Sequence, residues 1–327
     1  GWDGNSETWK LKKNDHYWDK EHVKLNEIDV QVVKEIGTGA NLFDNGDLDY
    51  TVLADTYALQ YKESKQAHFV PKAMVGYLSP NHRREITGNE HVRKAFLQAI
   101  DKETFAKEIL GDGSTALNGF VPANFAKNPD TGEDFRKENG DLLPYNIKEA
   151  QANWTKAKEE LGKDKIELEL ISADSAIAKK TIEFVQGQLQ QNLPGLTIKL
   201  KSLPLQNRLD LQTAGNYDLA FGTWTPDYAD PINFLEFYDS KSGLNTSGYN
   251  DSAYDAGLQK VRKDYANEPE KRWNELLSLE KTLIEKDAGV LPLFQGAIGY
   301  LKSDRLQGLQ VFSFGRTVSY RLAYVEE

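Results

Sequence analysis

An aromatic face and a carboxylate come together at one point of this chain, through Trp224, Asp227 and Tyr228. They follow the apolar run Tyr217-Asp-Leu-Ala-Phe-Gly-Thr and lead into Ala229-Asp-Pro-Ile-Asn-Phe-Leu-Glu-Phe-Tyr238. A strand that ends in such a turn suits the wall of a ligand cleft. In open α/β sheets, ligands collect at the carboxyl ends of strands, on loops held by a rigid scaffold. A second reading stays open for the acids. Asp-Pro commonly starts a helix, so Asp227 and Asp230 would equally serve as caps for one beginning near Pro231.

Periodicity identifies the elements that must position this turn. Residues 166–171 alternate as a strand, 175–193 form a helix, and 196–200 alternate again after Pro194-Gly195. A helix over 205–213 and a strand over 217–221 complete a βαβαβ run, whose crossovers nearly always wind right-handed. Before it, Asn146 opens a helix closed by Gly162. Thr87-x-x-Glu90 reads as a capping box ahead of Val92, Ala95, Phe96, Ala99 and Ile100, and Asp101 restarts a helix ending at Gly111. Residues 111–145 are rich in Gly, Asn, Asp and Pro without a period and read as one long irregular segment.

Nearer the start, residues 8–18 and 27–33 alternate in strand fashion around the aromatic turn at Asn14 to Trp18. A short helix over 39–43 stops at Gly46, and strands follow at 48–53 and 73–79. Towards the end, Glu268-Pro-Glu270 opens a helix with Trp273, Leu276, Leu277, Leu283 and Ile284 facing a core. Residues 290–294 are a buried strand, and 309–325 supply one or two more. The lysine and glutamate runs at 156–165 and 268–286 read as solvated helix faces.

Composition bounds the class. A chain of 327 residues suits two compact domains. Lys plus Arg number 40 against 50 Asp plus Glu, and a net charge of -10 would repel a phosphate backbone, so nucleic acid is not an expected partner. Aromatics at 11% and apolar residues at 39% permit a packed core. The absence of cysteine excludes disulfides, thiolate metal sites and a cysteine nucleophile. No run approaches the ~18 apolar residues of a membrane span.

Other chemistries find little support. The five histidines, His16, His22, His68, His82 and His91, lack metal-ligand spacing. Asp44, Asp47 and Asp49 miss the calcium-loop pattern and suit a helix-to-strand turn. Gly37-Thr-Gly39 falls short of a phosphate loop, and no Gly-x-Ser-x-Gly elbow is present.

Five segments together carry a resemblance. They are Leu11-Lys-Lys-Asn-Asp-His-Tyr-Trp18, Ala40-Asn-Leu-Phe-Asp-Asn-Gly-Asp-Leu-Asp49, Val92-Arg-Lys-Ala-Phe-Leu-Gln-Ala-Ile-Asp101, Trp224-Thr-Pro-Asp-Tyr-Ala-Asp-Pro231 and Ser247-Gly-Tyr-Asn-Asp-Ser-Ala-Tyr-Asp255. In this order the chain resembles the oligopeptide-binding proteins of peptide ABC transporters, bacterial extracellular solute-binding proteins of family 5. Its lysine- and asparagine-rich helices are similar to those of Gram-positive members.

The resemblance implies an α/β, periplasmic-binding-protein-like (type II, Venus-flytrap) architecture of two lobes, with mixed sheets flanked by helices. In that family the segment matching residues 8–18 lies well inside the protein. The expectation is therefore a C-terminal fragment, with 1–79 and 297–327 the remaining part of an incomplete lobe I and 80–296 lobe II. Missing strands would leave unpaired edges in lobe I. The lobes would close on a peptide by hinge motion about residues 78–82 and 292–297.

The family's carboxylate in the Trp-x-x-Asp motif, here Asp227, pairs with a peptide α-amino group in some members. Trp224 would pack against the peptide plane, with Tyr228 in the same turn and Asn245 and Tyr249 in the next loop as candidate polar contacts. No basic residue stands beside Trp224, so no anchor for a peptide carboxylate is visible there.

The implied partners are oligopeptides and the membrane permease subunits of an ABC transporter. The protein is expected to be a monomer with no cofactor, no metal and no catalytic residues. It would work outside the cell as a lipoprotein anchored through an upstream segment, or in the periplasm of a Gram-negative cell. Two alternatives stay open: a binder of the same fold for an oligosaccharide, and a glycoside hydrolase using a carboxylate pair.

Overall fold

Side chains that alternate along residues 166–171 become a paired strand in the computed structural model, which describes residues 6–326. The chain divides into two compact units. One comprises Gly1–Lys72, Leu110–Gly113 and Ala297–Glu327, the other Ala73–Ile109 and Ser114–Gly296.

The first unit opens with β1 (Thr8–Lys12) and β2 (Glu27–Gln31), antiparallel with Trp9 opposite Val30. Strand β1 stops at Lys12, and the turn expected from Asn14 follows: its carbonyl accepts from the Tyr17 amide at 3.0 Å and its Oδ1 from the His16 amide at 2.9 Å. Next come α1 (Ile36–Asp44), β3 (Tyr50–Leu53) and α2 (Asp55–Tyr61). Ala40, Phe43, Leu53, Ala58 and Leu301 form this unit's core. Then β4 (Ala67–Pro80) runs on into the second unit, longer than the seven residues of the sequence reading.

In the second unit, α3 (Glu90–Ala99) is capped by Asn89, whose side chain accepts from the Val92 amide, and not by the expected Thr87. Thr87 is fully buried and its hydroxyl is engaged elsewhere, donating to the Asn81 carbonyl at 2.7 Å. After α4 (Lys102–Thr104) the helix widens into π-type turns over Phe105–Leu110. The segment expected to be irregular contains β5 (Thr115–Ala116) and α5 (Phe135–Asn139), the latter capped by Asp134.

The βαβαβ run follows α6 (Ile147–Leu161), which Asn146 caps and Gly162 ends at φ 63°. It consists of β6 (Ile166–Ala173), α7 (Ala176–Asn192), β7 (Leu196–Leu203), α8 (Leu205–Thr213) and β8 (Leu219–Trp224). Strands β7 and β8 lie parallel to β6 on its two sides, and β8 is antiparallel to β4, with Tyr77 opposite Gly222. Helices α3 and α6 pack together through Phe96 and Trp154, whose indole N–H donates to the Pro194 carbonyl at 2.9 Å.

Three further helices follow, α9 (Ile232–Leu235), α10 (Ser252–Gln259) and α11 (Pro269–Lys281). The charged run on α11 is not wholly a solvated face. Glu280 is fully buried: its Oε1 accepts from the Phe120 and Val121 amides and Arg136 Nη1, each at 2.7 Å, and its Oε2 from Asn139 Nδ2 at 2.6 Å. Strand β9 (Leu291–Lys302), again longer than expected, returns the chain to the first unit, where it pairs with β3. The end of the chain forms two short ladders, β10 (Leu306–Gln307) with β13 (Tyr324–Val325), and β11 (Gln310–Val311) with β12 (Val318–Ser319).

Candidate ligand-binding site

Strand β8 delivers Trp224 at its carboxyl end, where Val75 of β4 lies opposite. The indole packs edge-on against Phe237, with centroids 5.1 Å apart, and its Nε1 donates to Asn233 Oδ1 at 3.3 Å. The same Asn233 oxygen accepts from the Asp227 amide at 3.2 Å. A single buried amide therefore fixes both the indole and the backbone that carries the carboxylate.

Asp227 itself is exposed, and its carboxylate has no hydrogen-bond or ion-pair partner among the described residues. Of the two readings of the acids, the helix-start role goes to Asp230. Its Oδ1 accepts from the Ile232 amide at 2.9 Å, and its Oδ2 pairs with Arg272 at 2.9 Å. Tyr228 is also exposed. Its hydroxyl donates to Glu236, and partial burial, with that bond, pushes it up to about 12.

Asn245 and Tyr249 are not brought to this surface. Both are buried, and the reason is local. Asn245 Nδ2 donates to the carbonyls of Asp239 at 3.2 Å and Tyr249 at 2.8 Å, and its Oδ1 accepts from Ser247 Oγ at 2.8 Å. The Tyr249 hydroxyl donates to Asp287 at 2.6 Å. Their polar atoms close the loop on itself, unlike the exposed Asp227 and Tyr228.

A cavity of about 500 Å³ lies elsewhere, within the first unit along Ile28, Val30, Leu48 and Val52. It contains none of the candidate residues. Among the described residues no cluster of His, Asp and Glu could hold a metal ion, and no helix is long and apolar enough to cross a membrane.

Residues 1–246 match the family described as bacterial extracellular solute-binding proteins, family 5 Middle. The chain belongs to this family. Among family 5 relatives, a dipeptide-binding protein of Lactococcus lactis subsp. cremoris is 30% identical over 99% of this chain and 61% of its own length. The structure of Listeria monocytogenes OppA bound to peptide is similar with a TM-score of 0.80 and 38% identity, covering 100% of this chain and 63% of that one. An oligopeptide ABC transporter substrate-binding domain from Bacillus anthracis gives a TM-score of 0.82 and 35% identity, covering 98% and 63%. The chain thus spans about 61% of the length of the relative from Lactococcus. Its fold is the expected mixed α/β, type II periplasmic-binding-protein-like one, with an incomplete lobe.

Within this family 5 chain, the residue that sequence reasoning missed is Asn233. A polar side chain inside the apolar run Ile232-Asn-Phe-Leu235 was the available signal, since buried amides need partners. Replacing Asn233 with Ala should leave the Trp224 and Asp227 N–H groups without their acceptor and destabilise the protein by about 1–3 kcal/mol. Urea unfolding checks this; an unchanged midpoint would contradict it.

His82 joins the neighbouring loop to the interior. Its Nε2 donates to the Gly289 carbonyl at 2.9 Å, and burial, with Arg93 nearby, pushes its pKa down to about 4. Between pH 6.5 and 4 the unfolded chain therefore binds a proton that the folded one refuses, and stability falls as pH falls through that window. At pH 4.5 the wild type should have lost roughly 2 kcal/mol more, relative to pH 7.5, than His82→Gln. Parallel pH profiles of the two proteins would refute the assignment.

Proposed function

We propose that the protein carrying this chain is the extracytoplasmic peptide-binding component of an ABC importer, and that Trp224, Asp227 and Tyr228 meet the peptide. The observation that carries this reading is an exposed carboxylate without a partner among the described residues, held beside an indole at the carboxyl end of β8, in a chain similar to an OppA bound to peptide. The indole offers a flat apolar surface to the peptide plane, and Asp227 offers a counter-charge to an α-amino group. The peptide main chain, with its regular donors and acceptors, would supply affinity that does not depend on side chains.

On this reading the second unit is one lobe, and the first is the remaining part of the other. The protein is a monomer that presents intact peptides to permease subunits, is tethered as a lipoprotein outside the cytoplasm, and performs no chemistry on its ligand. Incubating the intact protein with a mixed peptide library and weighing the bound and free peptides by mass spectrometry tests the reading. Peptides recovered bound and unaltered, and not displaced by malto-oligosaccharides, support it. Shortened peptides, or displacement by the sugars, overturn it.

A further inference from the structure

The parallel pairing of β8 with β6 stops at Ala220. The next carbonyl, that of Phe221, is taken by a side chain: Arg208 of α8 donates to it from Nη1 at 2.9 Å. Gly222 leaves room for this approach: a Cβ there would stand 3.1 Å from Arg208 Nη1 and 3.3 Å from the Tyr77 hydroxyl, tighter than ordinary contact. Side chains at 222 and 224 share one face of β8. Tyr77, opposite Gly222, shares it too, and both Tyr77 and Trp224 pack edge-on against Phe237. The guanidinium thus lies over the bare strand at Gly222, on the face that carries Trp224.

This cation is poorly compensated. Arg208 is half-buried, its Nε has no hydrogen-bond partner, and no carboxylate among the described residues forms an ion pair with it. Its electrostatic neighbours are the phenols of Tyr77 and Tyr217, and burial lowers its pKa. A guanidinium drawn out of water without an anion is unfavourable, and its planar fork fits a carboxylate.

We infer that Arg208 receives a carboxylate of the bound ligand, either the carboxyl terminus of a peptide or an acidic side chain. It thereby supplies the basic anchor that the residues beside Trp224 lack in sequence. This rests on the peptide-binding reading. Helix α8 brings in the charge from outside the strand, so no basic residue is needed on β8 itself.

Calorimetry of the intact protein with three peptides of one sequence provides the test. The first has a free carboxyl terminus, the second a carboxyl-terminal amide, and the third is the amide with one Glu side chain added. The wild type should bind the free acid, the Glu peptide or both about tenfold or more tighter than the plain amide. Recovery of affinity by the Glu peptide would assign the anchor to side chains, and no recovery would assign it to the terminus. Arg208→Gln should bind all three within about twofold of one another, and Arg208→Lys should keep part of the preference.

Equal binding of all three peptides by the wild type overturns the inference, needs no variant, and leaves the peptide-binding reading intact. An Arg208→Gln protein that weakens all three peptides equally, with the preference preserved, shows a purely structural arginine and also overturns it. If none of the three peptides binds, the peptide-binding reading itself fails, and this inference with it.

Discussion

Replacing Glu280 with Ala should cost about 3–5 kcal/mol of folding stability, the largest loss expected from any single substitution considered in this chain. The carboxylate is fully buried and satisfies four donors, two of them the consecutive amides of Phe120 and Val121. Without it the Arg136 guanidinium would remain buried beside those amides, and Arg136 Nε and Nη2 already lack partners among the described residues. The effect should therefore be mostly the penalty of an uncompensated charge. A Glu280→Met, Arg136→Met double variant, which removes both charges, should lose less than Glu280→Ala alone. Urea unfolding measures both. A loss under about 1 kcal/mol for Glu280→Ala would show that the segment around Phe120 does not depend on this residue.

Acetylating a peptide's amino terminus should weaken its binding to the intact protein by at least about tenfold, and Asp227→Asn should abolish the difference. The carboxylate has no partner among the described residues, while its backbone is held by Asn233. An ammonium group enclosed with it would gain a charge-assisted bond, and removing one member of such a pair commonly costs about 2–5 kcal/mol. Because Asp227 is exposed and its carboxylate bonds to no described residue, Asp227→Asn should change stability by no more than about 0.5 kcal/mol. Binding and folding effects are then separable. Equal affinities for free and acetylated peptides would remove Asp227 from the site.

The elements that could be read in advance are those whose evidence is local. The strict alternation of β6, the caps at Asn146 and Ser175, and the left-handed Gly162 each act within a few residues of themselves. Position 87 misled because two good capping residues lie two apart, and only the tertiary contact of Thr87 with the Asn81 carbonyl leaves the cap to Asn89. Glu280 was illegible for a stronger reason. Its partners lie between 141 and 160 residues away in sequence, and in a run of lysines and glutamates nothing local marks one carboxylate as buried.

The candidate site divides in the same way. Trp224 and Asp227 were visible as types at the end of a strand. The clamp by Asn233 depends on how α9 folds back, and the position of Arg208 depends on where the β6–β8 ladder ends. Asn245 and Tyr249 illustrate the converse. Polar and aromatic residues in a loop suit a ligand contact and a loop closure equally well until their partners are known.

A crystal structure of the intact protein with a bound peptide tests the central claim most directly. The account predicts unbroken peptide density against the face of β8 that carries Trp224, with the α-amino group within hydrogen-bonding distance of Asp227. A peptide seated away from that face, with both side chains facing only solvent, would contradict it.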